Sequence, residues 1–357
     1  MSHEVENMFY VGETPWHKLG TKIVDPPRLR QVWELSFPWG VEMRPLYMKK
    51  TMNPSDFVRE ADELDEVVCK EHDNDDIARM AYKHAENQFV EVNSYACVRN
   101  TDEKVLGVHG LGWTPLQPIE MVEKLRPLWE NKQIEFETGG SLRGGKHIWL
   151  LAKIVDNYMA EIIPNDPVCK HLLFAQGFDG SLSAVIGFVP IRVVCANTLA
   201  AALESGGAKT LRAYHTKNVS TTIDKIMDVV DIANRRFTAS VEQWQELAKR
   251  SINDEDLEKY VKVVFGRKCK TADTQLSDDL RVKRIFEDSI LPNFEGGRGS
   301  EIPGVRGTWW GAYNSVSEYL THQRGRSEEA RLDSLMNGQG GMYNRKAMTT
   351  AADMALV

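Results

Sequence analysis

The residues of this chain best suited to chemistry are cations set beside glycines and aromatic rings. Arg143 and Lys146 lie within Gly139-Gly-Ser-Leu-Arg-Gly-Gly-Lys-His147. That stretch nearly spells the phosphate-loop pattern G-x-x-x-x-G-K-[ST], whose hydroxyl and following helix hold phosphate and magnesium. Here His147 stands where the hydroxyl belongs, and Ile148-Trp-Leu-Leu-Ala152 is strand-like rather than the start of a helix. The better reading is a glycine-rich hairpin tip that presents Arg143 and Lys146 to solvent, where they can approach a phosphate backbone. A second set is Lys209, Arg212 and Lys217, around Arg212-Ala-Tyr-His-Thr216. A third is Arg298 and Arg306 on a Gly/Pro-rich loop that leads into Trp309-Trp310. Cations on flexible backbone followed by rings suit single-stranded nucleic acid: charges neutralise phosphates while rings stack on bases. Trp309, Tyr313, Val316 and Leu320 recur at spacings of three and four and read as the core face of a helix. Trp310 lies about 100° further round and is the freer ring for stacking. Arg192 sits in an otherwise apolar strand, so its charge must be paired or must face a partner.

Other chemistries find little support. Cys195 could be read as a thiol nucleophile with His171 or His215 as base, but no spacing links them. A cysteine on a buried strand is usually a small apolar residue. Asn197 and Thr198 next to it read as caps of a following helix. His72-Asp-Asn-Asp-Asp76 lacks the glycine and terminal glutamate of a calcium loop. The nine histidines are scattered without an H-x-x-x-H pair, and the five cysteines form no C-x-x-C pair. No catalytic group, metal site or cofactor is expected.

The elements that must position these residues can be read from periodicity. The 357 residues are 42% hydrophobic and 9% aromatic, enough for a substantial core. No apolar run reaches the roughly 18 residues that a membrane span requires. The polar, acidic N-terminus does not read as a secretory signal, and the isolated cysteines suit a reducing cytoplasm. Net charge is −7. Twelve acidic and four basic residues fall between Asp56 and Glu91, so the rest of the chain is close to neutral and carries local basic clusters.

The expected architecture is α+β: an antiparallel, hairpin-rich sheet with helices over 1–205, then a mainly helical region over 206–357 that can pack with it as one unit. Residues 53–91 read as an acidic helical insertion. Hairpins are expected at 94–109, at 134–152 around the Gly139–Gly145 turn, and between Leu172–Ala175 and either Leu182–Phe188 or the strand after it. Phe188–Leu203 reads as a strand running straight into a helix. Pro118 opens a helix that Pro127 must kink or split. One long amphipathic helix covers about 223–248, with Ser220 or Thr221 as its cap. Further helices are expected at 254–265, at 278–291 where Pro292 stops the chain, at 308–322, and from about Met342.

The order Asp179-Gly-Ser181, then Pro190-Ile-Arg-Val-Val-Cys-Ala-Asn-Thr-Leu199, then His215-Thr216 resembles the phage/plasmid-like protein family, catalogued as domain of unknown function 932. The resemblance runs from Tyr10-Val-Gly-Glu-Thr-Pro-Trp-His-Lys-Leu-Gly20 to the C-terminal helices. It implies a mobile-element context, in which replication and recombination proteins are common, and no established activity. Combined with the basic clusters, it leads to an expected non-enzymatic nucleic-acid binder, of the single-strand binding or annealing kind. Such a protein would act as a homo-oligomer in the cytoplasm of a bacterial host, away from membranes. Phosphate contacts are expected from Arg143, Lys146, Arg192, Lys209, Arg212, Lys217 and Arg306, with Trp310 stacking. The alternative is a self-assembling structural protein or host-system antagonist that uses the acidic 56–91 segment as a partner surface.

Overall fold

The hairpin signals resolve into strands whose partners are mostly neighbours in sequence. A computed structural model describes residues 6–12, 20–49, 89–192, 197–198, 210–223 and 226–356. Its strands are β1 (Met8–Val11), β2 (Thr21–Ile23), β3 (Val41–Lys49), β4 (Phe89–Arg99), β5 (Val105–Gly110), β6 (Ile134–Leu142), β7 (His147–Ile154), β8 (Met159–Glu161), β9 (Pro167–Gly177), β10 (Ala184–Arg192), β11 (Asn197–Thr198) and β12 (Thr210–Ala213). The helices are α1 (Leu29–Ser36), α2 (Pro118–Glu123), α3 (Arg126–Glu130), α4 (Val219–Ile223), α5 (Ile226–Lys249), α6 (Asp254–Phe265), α7 (Ala272–Ile285), α8 (Leu291–Gly296), α9 (Trp309–Glu318), α10 (Glu328–Asn337) and α11 (Gln339–Leu356).

Contacts divide the chain into two units, Val41–Trp113 and the remainder, Met1–Gly40 with Thr114–Val357. The first helix, the β6–β7 and β9–β10 hairpins and the C-terminal helices belong to one body. The smaller unit is a three-stranded antiparallel sheet, β3-β4-β5, with a bulge in each pairing. The acidic segment lies outside the described residues, except that Phe89, Val90 and Glu91 already belong to strand β4 and not to a helix.

In the larger unit the sheet order is β11-β10-β9-β7-β6-β1-β2, with β12 also on β10 and β8 on β9. One face carries Met8, Leu142, Trp149, Leu173, Ala175 and Val189 and packs against Leu332 of α10. The other meets the remaining helices: Phe188 stands edge-on to Phe237 of α5 at 5.8 Å, and Gln176 donates to the Leu116 carbonyl before α2. Burial on both faces explains why β9 and β10 are nearly continuous apolar runs rather than alternating ones. Beyond the sheet, aromatic residues bind the C-terminal helices together. Trp244 lies 5.9 Å from Trp310, Tyr260 meets Trp309 edge-on, and the Tyr260 hydroxyl donates to the Ala347 carbonyl.

Two local expectations are corrected. Asn197 and Thr198 form a short strand on β10, with Asn197 opposite Arg192 and Thr198 opposite Ile191, and the helix expected to follow them lies outside the described residues. Pro292 does not stop its helix. A widened π turn at Phe286–Ile290 precedes it, and helix continues to Gly296, since such a turn shifts the hydrogen-bond ladder that a proline interrupts. The α5 helix begins beyond α4, which itself opens at Val219, so Ser220 and Thr221 lie inside a helix rather than before one. Pro127 does split its helix, into α2 and α3.

Arg192 and Asp166 close the bottom of this unit, and both side chains are fully buried. Arg192 Nε donates to Asp166 Oδ1 at 2.6 Å and Nη2 to Oδ2 at 3.0 Å. The same guanidinium donates to the carbonyls of Arg298 and Gly299, both at 3.3 Å. Trp310 Nε1 completes the carboxylate at 2.7 Å. From its other side the 298–299 loop is held by Glu318, whose Oε2 accepts from the Arg298 amide at 3.0 Å. The approach is tight enough that a Cβ on Gly297 would lie 2.4 Å from that oxygen. Arg192→Met keeps the apolar stem but strands the Asp166 charge, and is expected to cost about 3–5 kcal/mol in urea denaturation. Adding Asp166→Asn is expected to recover part of that loss; a double variant no more stable than the single one contradicts the charge account.

Candidate nucleic-acid interface

At the end of the sheet opposite Arg192, three chain segments meet. The β6–β7 tip, the β9–β10 turn and the end of β12 are brought together by register: His147 is opposite Gly177, Val185 opposite Ala175, and Ala184 opposite Ala213. Arg143, Gly144 and Gly145 take positive φ in succession, 55°, 64° and 85°. Glycine tolerates this and arginine does so at a cost, which is why the tip is glycine-rich. The Phe178 amide then donates to the Lys146 carbonyl at 2.7 Å and ties the tip to the next turn.

Asp179 organises this end. Its Oδ1 accepts from the Ser181 hydroxyl at 2.6 Å and the Ser181 amide at 3.0 Å, and lies 3.1 Å from His147 Nε2. His147 Nε2 also lies 2.8 Å from Ser181 Oγ. Serine, histidine and aspartate are therefore in contact, but both partners meet the same ring nitrogen and the serine proton is directed to the carboxylate. That is a turn lock and lacks the relay order of a nucleophilic triad. Burial alone would raise the Asp179 carboxyl, yet the hydrogen bonds from His147 and Ser181 outweigh it and hold the group well below the usual carboxylate range.

The predicted phosphate contacts separate into two groups. Arg143, Lys146, Arg212 and Lys217 fall at this end. Arg143 is committed to protein carboxylates, with Nη2 2.8 Å from Asp333 and Nη1 3.9 Å from Asp179. Arg212 is exposed and donates to Ser183 Oγ at 2.9 Å, and Lys217 is exposed on the turn that follows. Sequence reasoning missed Tyr214, which is 70% exposed between these two cations. An aromatic residue between basic neighbours, one step beyond a short edge strand, was the available signal.

Arg192, Trp310 and Arg306 belong to the other end. Arg192 is not a phosphate contact, because its charge is consumed inside the protein by Asp166. Trp310 is not a stacking platform: it is 0% exposed and its indole N–H is bonded to Asp166. Arg306 is exposed beside Glu295 and Glu301 on the loop containing Gly304, whose Cβ position would face Ile163 at 3.2 Å. Ile163 precedes β9, so the length of that strand, roughly 35 Å, separates Arg306 from the tip. Lys209 lies outside the described residues, as does Cys195.

A family model, Domain of unknown function (DUF932), matches residues 105–336. The chain belongs to this family. No curated protein and no solved structure matches it. The residues that carry the DUF932 resemblance now have physical roles: Asp179 and Ser181 lock the β9–β10 turn, and Arg192 on β10 stands opposite Asn197 on β11. Elsewhere in this DUF932 chain, His171 is buried and lies 2.6 Å from Glu137 at the β6 bulge. Burial pushes the Glu137 carboxyl up, but His171 and Lys153 together bring it below its ordinary value. Among the described residues no group of three or more His, Cys, Asp or Glu side chains is placed to hold a metal ion, and no helix is long and apolar enough to cross a membrane.

Asp179→Asn is expected to cost about 1.5–3 kcal/mol near neutral pH, since it removes a charge-assisted network. The folded carboxyl titrates below the unfolded one, so its stabilisation is complete above about pH 4 and is lost as pH falls through that value toward the folded one. The stability gap between parent and variant, followed by denaturation from neutral to acid pH, should therefore narrow only in the acid range.

Proposed function

We propose that this DUF932 protein binds single-stranded nucleic acid, non-enzymatically, through the sheet end formed by the β6–β7 tip, the β9–β10 turn and β12. One observation carries the reading: exposed Tyr214 lies between exposed Arg212 and Lys217, on the same sheet end as Lys146. The ring offers a sequence-tolerant stacking surface and the cations offer phosphate neutralisation. Arg143 serves as a positioning residue that fixes the tip through Asp333.

Three cations make a short footprint, so one protomer binds weakly. Several copies along one strand convert later contacts into intramolecular ones. A homo-oligomer acting in the cytoplasm of a bacterial host, in the replication or recombination of a mobile element, fits this arrangement. The free thiols of Cys97, Cys169 and Cys269 agree with a reducing compartment.

Fluorescence anisotropy with a labelled oligodeoxythymidylate tests the proposal. With three phosphates engaged, affinity should fall roughly twenty-fold between 50 and 200 mM salt. Tyr214→Ala should lose about 1–3 kcal/mol of binding without changing the salt slope. A Lys146/Arg212/Lys217 triple alanine variant should flatten that slope. Absence of binding at low salt rejects the reading, and undiminished binding by the triple variant rejects this surface.

A further inference from the structure

A second site lies on the helix-facing side of the sheet and is independent of the nucleic-acid reading. Lys170, on β9, is 2% exposed. Its ammonium donates to Asn234 Oδ1 on α5 and stands 5.6 Å from the centre of the Phe237 ring. Other deeply buried cations here have their counter-ions: Arg192 has Asp166, and Arg99 has Asp102. Among the described residues no carboxylate lies within ion-pair distance of Lys170. Burial accordingly lowers its pKa, opposed only by the more distant charge of Asp156. A buried charge without a partner is costly to keep, and methionine would fill the same space without that cost.

Lys170 also opens onto space. It lines a cleft of about 430 Å³ between the β8–β9 strands and α5, within the size range of small-molecule sites. Phe237 and Met159 supply an apolar wall. Arg235 and Glu242 stand on α5 at the cleft, so a second cation is available to an entering anion.

We propose that this cleft binds a small organic anion, its carboxylate or phosphate group held by Lys170 and Arg235 and its apolar body laid against Phe237 and Met159. The ligand supplies the counter-charge that the fold withholds. Attraction inside a partly dry cleft is stronger than at an open surface, and the apolar wall favours an anion with a hydrocarbon or ring portion over a bare inorganic ion.

Benzoate and phenyl phosphate are suitable probes, with neutral benzamide as control, read by ligand-observed NMR and isothermal titration on the full chain. At least one anion is expected to bind saturably, benzamide is not, and the better probe identifies the preferred head group. Lys170→Met should weaken binding about ten-fold or more, equivalent to about 1.4 kcal/mol, while leaving resistance to urea equal to or above that of the parent. Arg235→Ala, at an exposed position, should weaken binding several-fold with the fold intact. The proposal is overturned if neither anion binds at concentrations up to ~10 mM, a range that covers weak affinities, or if Lys170→Met binds as the parent does. Should Lys170→Met fail to fold, unchanged affinity in Arg235→Ala overturns it equally.

Discussion

A guanidinium and a carboxylate, both sealed from water, hold the larger unit together. Desolvating two ions is expensive, and only good geometry with every remaining donor satisfied offsets it. Arg192 meets that condition because its fork is planar: one edge takes both oxygens of Asp166 while the outer N–H groups reach the carbonyls of Arg298 and Gly299. A lysine in the same place would offer a single point charge and could not bridge a strand, a loop and a second loop together. Trp310 supplies the last donor to the carboxylate, which ties helix α9 to the same point. Sheet and C-terminal helices are thus fastened by a polar cluster that tolerates few rearrangements, whereas apolar packing alone tolerates many.

That constraint limits where the proposed nucleic-acid strand could bind. Arg192 is consumed by the fold, and Arg306 sits beside the acidic side chains of Glu295 and Glu301. At the other end the polar network is arranged differently. Asp179 absorbs His147 and Ser181, and Asp333 absorbs Arg143, while Arg212 and Lys217 are exposed and Lys146 is half-buried. Charge at this end is therefore graded: the innermost arginine is paired and shapes the tip, and Arg212 and Lys217 reach the surface. The turn that Asp179 locks and the proposed binding surface are one construction, since that turn carries Ser183, the contact of Arg212.

Much of the sheet could be read in advance because antiparallel hairpins are local. Apolar runs on either side of Gly144-Gly145 and of Asp179-Gly180 mark both strands and the turn between them within a few residues. The pairing of β1 with β2 is parallel and only three residues long, so no local pattern announces it. Trp310 shows a different failure. A ring about 100° from the core stripe is free only on a helix with one dry face, and every residue of α9 from Trp309 to Glu318 is buried. A helix enclosed on all sides has no free face, and periodicity cannot report enclosure. Tyr214 failed in reverse: it follows a short strand, and its exposure depends on where that strand ends against β10.

Lys170 and Arg192 bring out what sequence leaves open about buried charge. Both lie on the same face of the sheet, since Lys170 is opposite Pro190, two residues from Arg192. Each is a lone cation in an apolar run, and the same rule applies to both: such a charge must be paired or must face a partner. Arg192 takes the first course, with a carboxylate brought from 26 residues away. Lys170 takes the second, with an amide for orientation and a cleft in place of a counter-ion. The choice depends on whether the chain elsewhere delivers a carboxylate to the spot, which is a property of tertiary structure. Where it delivers none, retaining the cation against the easier apolar substitution is the kind of local cost that a binding site explains.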